Sequence, residues 1–169
     1  DSELIIDFME KFLEAGFAKE TAVQMINGAL IAGGENQNMS TLDMCQLDLY
    51  TGICEFIKIG SAPSYVKREN LVEQISARNF PLGVFYEIDM ETVRRRLMDG
   101  DYIIMLSDGI LDGLSQGIGE GMLPEMLGKI ALKNPAEMAN HILNFCLHQS
   151  RGRVRDDMTV MVIGVWESL

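Results

Sequence analysis

The stretch Tyr102-Ile103-Ile104-Met105-Leu106-Ser107-Asp108-Gly109-Ile110-Leu111-Asp112 decides how the rest of the chain is read. Bulky uncharged side chains run from Tyr102 to Leu106, and the carboxylates Asp108 and Asp112 follow around Gly109. A short continuous apolar run fits a strand buried on both faces, and this one delivers acids to its own end. Chemistry in α/β proteins usually sits on such strand-end loops. A second stretch reverses the order: Arg155-Asp156-Asp157-Met158-Thr159 leads into Val160-Met161-Val162-Ile163-Gly164-Val165-Trp166. Two such strands lying side by side and antiparallel bring Asp108 and Asp156 to one edge.

Around this pair the bulk composition narrows the choices. The 169 residues, 47% of them apolar, suffice for one domain with its own core. Against 14 bases stand 25 acids, a formal net charge of −11. That balance argues against a phosphate-backbone binder, so no nucleic-acid partner is expected, and against an acidic membrane surface. Carboxylates in excess do suit hard divalent cations, whose preferred ligands are oxygens. The three cysteines, Cys45, Cys54 and Cys146, make neither a disulfide framework nor a zinc knuckle, which suits a reducing cytosol. No apolar run approaches the roughly 20 residues that span a bilayer, and Asp1-Ser2-Glu3 opens no secretory signal. A soluble polypeptide is expected.

The order of elements follows from periodicity. Ser2 caps a first helix with Leu4, Ile5, Phe8, Met9, Phe12 and Leu13 on its apolar stripe, and Gly16 stops it. A second helix from about Lys19 to Ala32 turns Val23, Met25, Ile26, Ala29 and Leu30 inward and ends at Gly33-Gly34. The period then becomes that of strands. A hairpin runs from Leu42 to Leu49 and from Ile53 to Ile59, turning through Tyr50-Thr51-Gly52, and a shorter one turns through Arg68-Glu69-Asn70. Gly60-Ser61-Ala62-Pro63 lets backbone approach something closely. The strongest hairpin signal pairs Ile88 to Leu97 with Tyr102 to Ser107 across Asp99-Gly100. Met122 to Leu132 reads as a helix with Pro124 in its first turn, and Asn134-Pro135 opens a longer one reaching about Gln149. Arg151-Gly152-Arg153 is a basic loop, and Met158 to Trp166 reads as a central strand buried on both faces. This order predicts an α+β sandwich of mainly antiparallel sheet with helices on its faces.

Few residues carry chemistry. Taken alone, Ser-Asp-Gly is an ordinary turn tripeptide, and Asp156-Asp157 balances the neighbouring arginines. Together they differ, because each acid borders an apolar strand where an unpaired carboxylate is costly to desolvate, and a bound cation removes that cost. Asp112 reads as a surface residue. His141 and His148 share a helix face but stand two turns apart, too far for one metal. Ser61 and Ser107 have no histidine placed to activate them. Cys146 and the twelve methionines read as core, and Arg94-Arg95-Arg96 as a solvated strand edge.

Ser-Asp-Gly-Ile-Leu-Asp and Arg-Asp-Asp-Met-Thr-Val-Met-Val, in that order and about 50 residues apart, resemble the metal-dependent protein phosphatases of the type 2C class. A closer likeness is to the C-terminal phosphatase domain of the stage II sporulation protein E family. Gly60-Ser61-Ala62-Pro63-Ser64, Phe80-Pro81-Leu82-Gly83 and Phe12-Leu13-Glu14-Ala15-Gly16-Phe17 also look like that family, so the likeness runs along nearly the whole chain. The resemblance implies a four-layer α-β-β-α sandwich of two mainly antiparallel sheets flanked by helices. It also implies two manganese or magnesium ions at one edge, and direct attack of water on a phosphoserine or phosphothreonine. Asp108 carries over as a metal ligand with Gly109 beside it, Asp156 as the last metal-ligating Asp, and Asp157 stands where many relatives have Asn.

The same resemblance implies a missing part. Family members carry an upstream motif resembling Asp-Gly-Met-Gly-x-Gly, whose Asp bridges the metals, and this chain starts after it. Residues 1–169 are therefore expected to form a single phosphatase-like domain, incomplete at its N-terminus, with an incomplete metal site and weak or absent activity on its own. The implied partner is a phosphorylated anti-anti-sigma factor, whose dephosphorylation activates a sporulation sigma factor. The implied location is a cytoplasmic domain of a membrane-anchored protein. Alternatives are a stress-signalling phosphatase of the same family, a phosphatase-like docking module without full ligands, and a structural domain. In the last, the N-terminal helical hairpin would be a homodimer contact, favoured if Leu4, Phe8 and Phe12 are exposed. Because the hairpin follows the missing motif, its movement is also expected to act as a regulatory switch.

Overall fold

The computed structural model describes residues 2–33, 39–115, 120–150, 154 and 156–167. In chain order the elements are α1 (Ser2–Glu14), α2 (Lys19–Ala32), β1 (Leu42–Leu47), β2 (Ile53–Ile59), β3 (Ser64–Arg68), β4 (Leu71–Ile75), β5 (Glu91–Arg96) and β6 (Tyr102–Leu106). Then come α3 (Asp108–Ser115), a 3-10 turn at Glu120–Met122, α4 (Leu123–Lys129), α5 (Pro135–Gln149) and β7 (Val160–Gly164). One sheet has the order β1-β2-β5 and the other β4-β3-β6-β7. The chain packs as two units: Asp1–Met44 with Ile57–Ser61 and Ala77–Thr92, and Cys45–Phe56 with Ala62–Ser76 and Val93–Leu169.

In the first unit α1 and α2 form the expected helical hairpin. The N–H of Phe17 reaches the Phe12 carbonyl and that of Gly16 the Leu13 carbonyl, and Gly16 takes a φ of +83°. This is the left-handed stop that glycine makes easy, sealed by the Phe12–Phe17 ring contact at 5.8 Å. The inward stripes are narrower than the sequence suggests. Ile5 and Met9 are buried while Leu4, Phe8 and Leu13 are exposed; on α2, Ala22, Val23, Ile26 and Asn27 are buried while Met25 and Ala29 face water. At about 100° per residue only one side of each helix meets the core of Ile57, Ile59 and Leu82. Gly33 caps α2 in a right-handed conformation, and Gly34 lies outside the described residues.

Two asparagines anchor the loop that follows β4 in this unit. Asn27 donates to the Phe85 carbonyl at 2.9 Å and accepts from Gly83 N–H, while Asn79 donates to the Lys58 and Asp89 carbonyls and accepts from Gly60 N–H. Gly60, at φ +61°, sits so close to Pro81 that a Cβ would lie 2.8 Å from its Cα. The small-residue stretch does serve a close backbone approach.

The second unit holds the four-stranded sheet. All its pairings are antiparallel, and β6, buried at every position, lies between β3 and β7. Tyr65, Tyr102, Ile104 and Leu106 face a core shared with Ile110, Leu127, Met138, Ile142 and Cys146 of α3, α4 and α5. Val66, Ile75, Ile103 and Met105 belong to a separate core with Cys54, Phe56 and Leu97. Alternation along the strands thus gives the sheet two covered faces. Pro135 opens α5, and the Asn134 carboxamide accepts from the N–H groups of Ala136 and Glu137, as expected of the Asn-Pro pair.

The structure departs from the sequence reading at four points. The Asp99-Gly100 reversal does not close a β5–β6 hairpin: β5 pairs in the first sheet and β6 in the second, so the turn is a corner. Asp101, fully buried, fixes that corner by accepting from Arg68 Nε at 2.8 Å, from Arg68 Nη2 at 2.6 Å and from Met98 N–H at 2.8 Å. An all-apolar β6 needs partners on both sides, whereas β5 holds Arg94 and Arg95 in ion pairs with Glu55 and Glu73, as suits an edge. Second, Asp108–Ser115 is a helix that periodicity did not reveal. Third, β7 is not a central strand but an edge of its sheet in the described residues, with Met161 49% exposed. The helix expected from Met122 also begins as a 3-10 turn and ends at Lys129.

Candidate functional site

The acidic site lies where β6 and β7 end together. Their antiparallel register runs from Tyr102 opposite Gly164 to Leu106 opposite Val160, so the residues just beyond the pairing are Ser107 on one side and Thr159 on the other. The sequence-based condition for juxtaposing Asp108 and Asp156 is thereby met. Past the ladder, Ser107 N–H still donates to the Thr159 carbonyl at 3.0 Å, its hydroxyl donates to the Asp157 carbonyl at 3.0 Å, and Thr159 N–H donates to that hydroxyl at 2.8 Å.

Gly109 lies against the same segment. A Cβ there would overlap the Asp157 carbonyl oxygen and come within 3.2 Å of the Asp156 carbonyl oxygen. Glycine is required by proximity at this point, since no side chain fits between the start of α3 and residues 156–157.

Each of the two carboxylates is oriented by the next backbone N–H. Asp108 Oδ1 accepts from Gly109 N–H at 3.0 Å, and Asp156 Oδ1 accepts from Asp157 N–H at 2.8 Å. Both side chains are exposed, and among the described residues neither forms an ion pair with a base. Oriented, hydrated carboxylate oxygens are the donors that manganese and magnesium prefer. In donor type Asp108 and Asp156 therefore fit a hard divalent cation. Among the described residues no three His, Cys, Asp or Glu side chains converge on one point, so these two acids do not by themselves make a complete ligand shell. What the structure shows of Asp157 is its main chain, which bonds Ser107 and abuts Gly109.

The other candidates fall where composition put them. His141 and His148 are exposed on α5, Cys146 is fully buried, and its thiol is pushed up to about 11 by that burial. Arg151, Gly152, Arg153 and Arg155 lie outside the described residues. A cavity of about 290 Å³ between α4 and α5 is lined by Met122, Met126, Ile130 and Phe145 among others, and includes neither acid. Ser107 is the residue that sequence reasoning misses, because a serine without a nearby histidine is dismissed as a nucleophile and given no other role. The available signal is its place between the end of an apolar strand and an acid, where a hydroxyl normally has a backbone partner.

These features, a four-stranded antiparallel sheet with helices on one face and acids at the β6–β7 edge, define the class: the fold is that of the PP2C phosphatase domains. It superposes on the structure of the PP2C phosphatase domain and a fragment of the regulatory domain of the cell-fate determinant SpoIIE from Bacillus subtilis with a TM-score of 0.88, at 33% identity over 97% of this chain and 49% of that one. A manganese-presoaked structure of the same phosphatase domain gives a TM-score of 0.73 at 31% identity over 98% of this chain and 74% of that chain. The chain belongs to the stage II sporulation protein E family, whose model matches residues 2–166. Stage II sporulation protein E of Bacillus subtilis (strain 168) is 33% identical over 166 residues, 98% of this chain, and the chain spans 20% of that relative's length. No helix among the described residues is long and apolar enough to cross a membrane.

Proposed function

We propose that the protein containing this domain is a metal-dependent phosphatase that hydrolyses phosphoserine or phosphothreonine in a protein substrate. The observation that carries this reading is the antiparallel β6–β7 end, which sets Asp108 beside the Asp156-Asp157 segment in a chain of this family. Asp108 and Asp156 would hold manganese or magnesium, with Gly109 in contact with the same segment and Asp157 contributing backbone and a neighbouring charge. Further ligands would come from outside the described residues. A pair of divalent cations, when bound, would neutralise the phosphate and acidify the attacking water.

The chain's own residues have a simpler task. The backbone N–H groups of Gly109 and Asp157 each hold one oxygen of a carboxylate, that of Asp108 and that of Asp156. Ser107 and Gly109 set the spacing of the two segments. Because the acids are exposed at a sheet edge rather than sunk in a pocket, the site suits a phosphate presented on the surface of a folded protein. Within that class, the substrate proposed is a phosphorylated anti-anti-sigma factor, acted on at the cytoplasmic side of a membrane-anchored protein to release a sporulation sigma factor. Leu4 and Phe8 on α1 are exposed, which supports the hairpin as a homodimer contact, whereas Phe12 is half-buried against the core of the first unit and does not add to it.

The test is hydrolysis of an aryl phosphate and of a phosphoserine protein by the full-length protein. Turnover is expected with manganese only, and Asp108→Ala or Asp156→Ala should lower kcat at least about a hundredfold. Undiminished turnover in both variants would sink the reading, and a full-length protein that binds no manganese would turn it into a docking module.

A further inference from the structure

We propose that Ser107 is a positioning residue of the acidic pair: its hydroxyl clamps residues 157–159 so that Asp156 is held beside Asp108. This rests on the reading that the two aspartates hold a divalent cation.

Ser107 stands immediately before α3, where a serine hydroxyl ordinarily accepts from an N–H of the helix's first turn. Here the hydroxyl is committed elsewhere, donating to the Asp157 carbonyl at 3.0 Å and accepting from Thr159 N–H at 2.8 Å. The main chain of Ser107 is engaged as well, its N–H with the Thr159 carbonyl at 3.0 Å and its carbonyl with Ile110 N–H at 3.1 Å. Asp108, the first residue of α3, uses its Oδ1 on the N–H of the next residue, Gly109, a contact that orients the carboxylate and does not cap the helix. A serine that gives up its local cap to bridge another segment is using its hydroxyl to set a distance.

The distance matters because the ladder ends too soon to set it. The last paired residues of β6 and β7 are Leu106 and Val160, and beyond them one chain turns into a helix while the other continues to Asp156. Three described hydrogen bonds tie residues 157–159 to the chain just past β6, and all three end on Ser107. Asp157 then passes the constraint on, since its N–H holds Asp156 Oδ1 at 2.8 Å. Removing the hydroxyl leaves a single backbone bond at Thr159, and residues 156–157 lose their tether on the side facing Asp108.

The experiment measures manganese binding to the full-length protein by the paramagnetic resonance of free manganese, without substrate, for wild type, Ser107→Ala and Ser107→Thr. Outer partners of metal ligands typically change affinity by about 10- to 100-fold. Ser107→Ala is expected to weaken binding by that factor and to speed exchange of the Thr159 amide. Ser107→Thr keeps a donor and an acceptor and should return to within about threefold of wild type. Wild-type affinity in Ser107→Ala overturns the proposal. Equal losses in both variants, with a matching loss of cooperative unfolding, also overturn it by showing a packing role. Asp108→Ala and Asp156→Ala serve as the separate check: if these bind manganese as wild type does, the metal reading itself has failed.

Discussion

The α-carbon of Gly109 faces the carbonyl of Asp157 so closely that an added Cβ would overlap the oxygen and sit 3.0 Å from the carbonyl carbon. Both partners are main chain, so neither can swing aside as a flexible side chain would. Gly109→Ala must push residues 156–157 away from α3. The expected cost is about 1–3 kcal/mol in folding stability, as for other overpacked sites. It should come with a loss of manganese affinity that exceeds any loss in Gly121→Ala, where an added methyl group would meet nothing within 4 Å. Calorimetric titration of both variants checks this.

Asp101 is a structural acid, and its removal should show in stability rather than in the metal response. Its fully buried carboxylate receives three hydrogen bonds, two from Arg68 and one from Met98 N–H. Because the Arg68 side chain is 43% exposed, water recovers part of the loss. Asp101→Ala should lower the unfolding free energy by about 2 kcal/mol, read as a shifted urea midpoint with unchanged slope.

Cys146 makes a pH-dependent contribution whose sign follows from burial. Its thiol is raised from an ordinary value of 9.0 to about 11, so the folded chain keeps the proton longer than the unfolded chain does. The resulting stability is present in full below pH 9 and is lost as pH rises toward 11. Between those limits wild type should lose about 2 kcal/mol more than Cys146→Ala, measured by urea titration across the range.

Asn134 caps α5 with two accepted hydrogen bonds, at 2.9 Å from Ala136 N–H and 3.1 Å from Glu137 N–H. Asn134→Ala should cost about 1 kcal/mol, while Asn134→Asp or Asn134→Ser should leave stability within a few tenths of that of wild type. Thermal unfolding monitored by circular dichroism is sufficient.

Local signals proved readable where the physics is local. Gly16 ended α1, Asn134-Pro135 began α5, and Glu69 took the left-handed turn conformation between β3 and β4 at φ 50°. Each depends on a few neighbouring backbone groups. The Asp99-Gly100 reversal is a turn, as its residues require, with Gly100 at φ +81°, but a turn fixes a change of direction and not the strand's next partner. The buried stripe on α1 is narrower than its apolar stripe for a similar reason: Leu4 and Phe8 are as apolar as Ile5 and Met9, and only the surface they meet separates them.

By itself the sequence determined the succession of helices and antiparallel strands, the two acidic motifs flanking apolar strands and, through those motifs, the phosphatase family. Tertiary structure decided what lies beside what. It placed β6 between β3 and β7, made β5 the edge of the other sheet, and joined Ser107 to Asp157 and Thr159 across about 50 residues of chain. Periodicity reports which face of an element avoids water, a property of single residues and their neighbours. Strand order and the meeting of two acids depend instead on which apolar faces remain uncovered once every other element has packed.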